Sequence, residues 1–278
     1  MLSTIKEAPV SYFIYSSLSF FGPRHGGSLP GMWFVRALGE AGRDPAAVRQ
    51  TLYRMEHERE LIAQKIGRVK LYSASQYATA EIAAGTAKIF EAPNATWDRQ
   101  WTFVHLRFRN PALRIERQRV AALLGVEGFA HLGGDVYVHP CAEEGALRTS
   151  LPARTRPHVI IVRGPLLDDA ATPGIVELWN VNQLKDRYRR AQGRLQELEE
   201  ALRRNPPTDR DAFLLRFAVV FEYLGVAWDD PRLPPEVLPK DWPAENARRL
   251  AARLYRRLLP GATRYAETLL AQESRAAA

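Results

Sequence analysis

The residues best suited to recognising a polyanion lie in one short run. Arg49, Gln50, Tyr53, Arg54 and His57 fall within nine positions of each other. Arginine makes paired hydrogen bonds to guanine and glutamine makes them to adenine; tyrosine reaches phosphate or packs on sugar. Lys65, Arg68 and Lys70 follow within six positions. They suit contacts along a phosphate backbone or entry into a minor groove. A polar helix face alone is commonly just solvated. The two basic groups in succession point to a reader of double-stranded DNA.

The elements that must hold them follow from local signals. Asp44-Pro45 opens a helix: Asp suits the N-cap, and Pro suits the first helical position, where a missing N–H costs nothing. At 100° per residue, Val48, Leu52 and Met55 share one narrow face, while the five polar residues occupy the rest. That helix is expected to run to about residue 60. Leu61–Ile66 then reads as a strand, Gly67-Arg68 as a turn and Val69–Ser73 as an alternating return strand. Upstream, Val10, Phe13, Ile14, Leu18 and Phe21 mark a first helix. Gly22–Gly31 reads as a loop, and Met32–Glu40 as a second helix stopped by Gly42. A fourth helix is expected over Ser75–Phe90, with Ala92–Ala95 as linker. Residues 1–92 thus predict a winged helix-turn-helix domain.

Residues 97–165 alternate in character. Trp101–Phe108 is strand-like, Leu113–Leu124 helical, and Phe129–Leu132 and Val136–His139 flank a Gly133-Gly134-Asp135 turn. His158–Val162 is a β-branched strand. The order predicts a central ferredoxin-like α/β sandwich. Residues 175–278 predict a helical C-terminal domain, with helices near 179–202, 209–224, 244–259 and 261–272 and a Pro-rich turn at Asp230–Pro235. Phe213, Phe217, Phe221 and Leu224 recur at helical spacing as core. Leu250, Leu254 and Leu258 line one side of the next helix. Arg248, Arg249 and Arg256 lie opposite, with Arg253 and Arg257 at the boundary, as a solvated stripe or an anion site. The fold class is therefore α+β.

Composition narrows the function further. The chain has 278 residues, 39 Lys+Arg against 31 Asp+Glu, and a net charge of +8. That excess favours a polyanionic or phosphorylated partner. Arg107, Arg109, Arg114, Arg117 and Arg119 extend it into the middle segment, where a solvated face is the simpler reading. One cysteine, Cys141, excludes an intrachain disulfide and fits a reducing, cytoplasmic setting. No apolar run is long enough for a membrane span, and the first ten residues lack the apolar core of a secretory signal. His139 and Cys141 have no second pair to complete a metal set. No phosphate-binding glycine loop occurs. The pairs Glu143-Glu144, Asp168-Asp169 and Glu199-Glu200 read as surface charge. No catalytic residue, metal or cofactor is expected.

Longer motifs add a resemblance. Asp230–Pro243, reading DPRLPPEVLPKDWP, closely resembles the DPxLPxxLLPxDWPG signature of the PaaX family of bacterial repressors. Trp97–Trp101 resembles its WDGKW motif, Leu178–Tyr188 its WDLxxLxxRY segment and Gly67–Tyr72 its GRRSYY-like wing. The resemblance implies a dimeric repressor of an aromatic-acid, phenylacetate-type catabolic operon, released from operator DNA by phenylacetyl-CoA or another aryl-acyl-CoA effector. It also implies a central domain similar to small CRISPR-associated proteins. For the effector, Trp179, Arg187, Trp242, Arg253 and Arg257 are candidates, for stacking and phosphate pairing. Two other readings compete: a metal-dependent nuclease of the CRISPR-associated type, and a helical adaptor without DNA function. The first would want a carboxylate on the first strand of the central sheet, where Trp101–Phe108 has none.

Overall fold

The computed structural model describes residues 4–91, 97–140 and 144–277. The expected linker at 92–95, Cys141 and Glu143 lie outside the described residues. The chain divides into two compact units that do not follow the three sequence segments. The first joins residues up to Glu91 with Tyr188–Trp228 and the stretch from Ala244 onward. The second joins the intervening residues up to Arg187 with Asp229–Pro243.

The first unit opens with α1 (Val10–Phe21), β1 (Ser28–Pro30), α2 (Gly31–Glu40) and α3 (Pro45–His57). β2 (Leu61–Ile66), β3 (Val69–Ala74) and α4 (Gln76–Phe90) follow. The three strands form an antiparallel sheet in the order β1-β3-β2. This is the element order expected of a winged helix-turn-helix. The Gly22–Gly31 stretch is more than a loop: it holds a 3-10 turn and β1, which pairs Leu29 with Tyr72. Three residues inside a Gly/Pro-rich stretch give too little alternation to show in sequence. Helix α3 stops at His57, short of residue 60, because Arg59 takes a left-handed φ of 60° and the Glu60 amide bonds back to the Met55 carbonyl at 2.8 Å. That is a helix-ending turn made without glycine.

The second unit contains β4 (Trp101–Leu106), α5 (Arg114–Val126), β5 (Ala130–Gly133), β6 (Val136–His139), α6 (Glu144–Ser150) and β7 (Val159–Gly164). Its antiparallel sheet runs β5-β6-β4-β7, the order of a β-α-β-β-α-β sandwich. Val104, Leu106, Val120, Leu124 and Leu147 fill its core. A short α7 (Thr172–Glu177) precedes α8 (Val181–Arg204).

The C-terminal helices are α9 (Asp209–Ala227) and α10 (Ala244–Ala277). α9 is apolar nearly all round, as a helix buried on every side must be. Phe213 and Phe217 are fully enclosed, whereas Phe221 and Leu224, expected in the core, are half-buried. The two helices expected at 244–259 and 261–272 are one: α10 continues through Pro260. Its Leu250, Leu254 and Leu258 are buried as the spacing predicts. Packing explains the continuity. Gly261 lies so close to α9 that a Cβ there would meet Ala212 Cβ at 2.9 Å and Asp209 Oδ1 at 3.0 Å. Tertiary packing outweighs the single backbone bond that Pro260 removes. Among the described residues, no helix is long and apolar enough to cross a membrane.

Candidate nucleic-acid interface

Helix α3 is anchored at its start by Asp44, whose side chain accepts from the Ala47 amide at 2.8 Å. Val48, Leu52 and Met55 are buried against the unit, at 0%, 3% and 0% exposure. Arg49, Gln50, Tyr53, Arg54 and His57 are all exposed. Tyr53 is 67% exposed, which is unusual for a tyrosine with no structural use there. The hairpin of β2 and β3 projects Lys65, Arg68 and Lys70, also exposed. Its turn needs Gly67, at φ 59°, so that Arg68 stands at the tip.

The electrostatics of this surface are uneven. Lys65 stands directly across the hairpin from Lys70. Like charges so placed cost stability. Lys70 is relieved by Glu56, at 2.6 Å, which also holds its ammonium above the ordinary lysine range, and by the Tyr72 ring at 5.2 Å. Arg54 reaches Glu58 at 2.7 Å. Both pairs are exposed, so they are weak and free to exchange for phosphate.

Between α2, α3 and the wing lies a groove of about 590 Å³ lined by Arg36, Arg49, Arg68 and Lys70. The structure brings four cations from three elements to one concavity. Arg36 is the residue that sequence reasoning missed. Its only signal was to be the single basic residue of α2.

The candidate effector residues fall out differently. Trp179, Arg187 and Trp242 belong to the second unit, Arg253 and Arg257 to the first. Trp179 Nε1 donates to the Gly128 carbonyl at 2.7 Å, and Trp179 and Trp242 pack on one core cluster with Trp101 and Leu233. Arg187 pairs with Asp229 at 2.7 Å. Arg253 pairs with Glu199 at 2.7 Å, pulling that carboxyl below the ordinary glutamate range, and Arg257 donates to the Leu202 carbonyl at 2.6 Å. Of the rest of the basic side of α10, Arg248 is held by Glu245 at 2.8 Å and Arg256 stacks on Phe90. The stripe is largely exposed to solvent, and its arginines also reach partners on α10, α8 and α4. In the middle segment Arg117 is bound to Asp135. Among the described residues, no group of three or more His, Cys, Asp or Glu could hold a metal.

The motif-bearing residues are structural as well. Trp97 Nε1 donates to the Pro140 carbonyl at 2.7 Å and its ring meets Trp101 edge-on. Asp241 takes a bond from Lys185 at 2.5 Å. Residues 179–268 match the family model described as PaaX-like protein C-terminal domain. The Escherichia coli (strain K12) transcriptional repressor PaaX is 26% identical over 222 residues, covering 77% of this chain and 69% of that one. The chain thus carries a PaaX-like C-terminal domain and is similar to a PaaX repressor over most of its length. Two of the PaaX-like motifs, Leu178–Tyr188 and Asp230–Pro243, lie almost wholly within the matched region. The wing and Trp97–Trp101 lie outside it. In fold, the chain is similar to the uncharacterized protein Rv0674 from Mycobacterium tuberculosis, with a TM-score of 0.57 and 17% identity over 86% of this chain and 90% of that one.

Proposed function

We propose that the chain is a DNA-binding transcriptional repressor of a phenylacetate-type catabolic operon, working as a homodimer in the cytoplasm and released by an aryl-acyl-CoA. The observation that carries the DNA-binding reading is the split of α3. Its apolar residues are buried, and Arg49, Gln50, Tyr53, Arg54 and His57 stand exposed beside a basic wing. The PaaX relative, itself a transcriptional repressor, supports the regulatory part. In this reading α3 enters the major groove, Arg49 and Gln50 meet base edges, and Lys65, Arg68 and Lys70 meet phosphates. Arg36 adds a cation at the groove between α2 and the wing. An effector releases DNA only if it binds the DNA-free conformation more tightly. The test is a gel-shift assay on the DNA upstream of the protein's own coding sequence, titrated with phenylacetyl-CoA and separately with free phenylacetate. Binding reversed by the thioester alone supports the whole reading. No binding at low salt overturns it.

A further inference from the structure

The first unit contains a cavity of about 290 Å³ bounded by α1, α4 and α9, with Tyr255 of α10 closing one side. Six rings line it: Tyr12, Tyr15, Phe20, Phe90, Trp228 and Tyr255. Its volume is at the small end for ligand pockets, suited to a group of one or two rings rather than a nucleotide. Rings on several sides favour a flat aromatic guest through edge and face contacts. Among the described residues, the only charged side chain in the lining is the carboxylate of Glu81. The cations nearby, Arg216, Lys88 and Arg256, are not in the lining; they stack on its rings, Arg216 on Tyr255 at 3.9 Å, Lys88 on Trp228 at 5.2 Å and Arg256 on Phe90 at 5.4 Å. A free carboxylate entering would lose its water beside Glu81 and touch no cation in the lining, since the Arg216 guanidinium lies behind the Tyr255 and Phe20 rings. A neutral ring meets neither penalty.

One wall of this cavity touches the DNA-facing surface. The Tyr15 hydroxyl donates to Glu60 Oε2 at 3.0 Å. Glu60 is the junction between reading helix and wing: its amide closes the end of α3 on Met55, and its carbonyl accepts the Ser75 amide at 3.0 Å, closing the wing's base. Displacing the Tyr15 ring moves the partner of a residue that ties the end of α3 to the base of the hairpin.

We propose that this cavity binds a neutral aromatic group, free or as the end of a larger molecule, and that Tyr15 passes its occupancy through Glu60 to the α3–wing junction. The signalling half rests on the DNA-binding reading above; the binding half does not.

The experiment uses the full chain and three probes: phenylacetamide, phenylacetate and phenylacetyl-CoA. Calorimetry should show saturable phenylacetamide binding, with phenylacetate at least about tenfold weaker, a difference of one factor of ten in the dissociation constant. The thioester arm tells whether the ring is taken alone or as part of a larger molecule. Ser19→Phe and Thr86→Phe fill the cavity from α1 and from α4, and each should weaken phenylacetamide about tenfold or more. Thermal melts report whether each variant is folded, and either one suffices. Glu60→Ala, outside the lining, should keep phenylacetamide binding but lose the ligand's effect on DNA affinity in the gel shift. Absent phenylacetamide binding, or binding unchanged in a folded filled variant, overturns the site. Phenylacetate bound as tightly as the amide overturns the ligand class. An undiminished ligand effect in Glu60→Ala overturns the signalling route. A wild-type chain that binds phenylacetamide but no DNA overturns the repressor reading and the route, and leaves the site standing.

Discussion

The indole nitrogen of Trp33 donates to the Ala266 carbonyl at 3.1 Å in a fully buried bond between α2 and α10. Residues 233 positions apart are thus joined by a directional bond in the core of the first unit. Helix α2 supports α3, so the geometry of the basic surface depends on the end of the chain. Trp33→Phe keeps most of the ring and removes the donor. The Ala266 carbonyl is then left without this partner, and a destabilisation of about 1–3 kcal/mol is expected. Urea denaturation measures it. An unchanged midpoint would show that the bond contributes nothing net.

The exposed face of α3 makes a second prediction. Arg49→Ala with Arg54→Ala should weaken operator binding by about 1–3 kcal/mol for each base that is no longer read. Fold stability should hardly change, since both side chains point to solvent. Gel-shift affinity beside a thermal melt separates the two effects. Unchanged affinity would mean that α3 does not read bases.

The wing should behave differently. Lys65→Ala or Arg68→Ala should weaken binding to all DNA sequences and reduce the salt slope by about one unit each. Lys65→Ala also removes the like-charge pair with Lys70. The free protein should then be slightly more stable, by a few tenths of a kcal/mol at roughly the scale of cross-strand pairs. A variant that binds DNA less and melts higher is the signature of a charge kept for its partner.

His139 sets a pH dependence. Buried between Phe129 and Trp179, its imidazole is pushed down from 6.5 to about 4, with desolvation the dominant cause. Above pH 6.5 it is neutral in folded and unfolded chains alike, and its full stability is present. As pH falls from 6.5 towards 4, the unfolded chain takes up a proton that the folded chain does not. Stability therefore drops over that window, by on the order of 3 kcal/mol from this group. Urea midpoints at pH 7 and pH 4.5 should fall further in the wild type than in His139→Gln. Equal falls would place the ring's titration at its ordinary value.

Gly261 gives a packing prediction. Gly261→Ala puts a Cβ 2.9 Å from that of Ala212, and α9 and α10 must separate. Overpacking of this kind costs about 1–3 kcal/mol, against the small gain in helix propensity that alanine would otherwise bring. A raised melting temperature would show that the two helices have room to move apart.

What the sequence determined by itself is the local architecture of the α3 helix and its following hairpin. Asp44, Pro45, the Val48–Leu52–Met55 stripe and Gly67 are short-range signals, and capping, periodicity and turn chemistry act within a few residues. The β-α-β-β-α-β order of the central segment is legible for the same reason. Tertiary structure alone decided the rest. Pro260 says "stop" locally, but a long face packed on α9 carries α10 through it. Sequence order suggests a separate helical C-terminal domain, yet α9 and α10 share a core with α1 and α2, while Asp229–Pro243 joins the other unit. In sequence Arg253 and Arg257 have no visible partners; in the fold they reach Glu199 and the Leu202 carbonyl, more than fifty positions away, while staying exposed. The groove containing Arg36 and the ring-lined cavity beside Tyr15 are properties of no segment. They exist only where helices distant in sequence meet, because burial of apolar faces is non-directional and its partners are chosen by the whole fold.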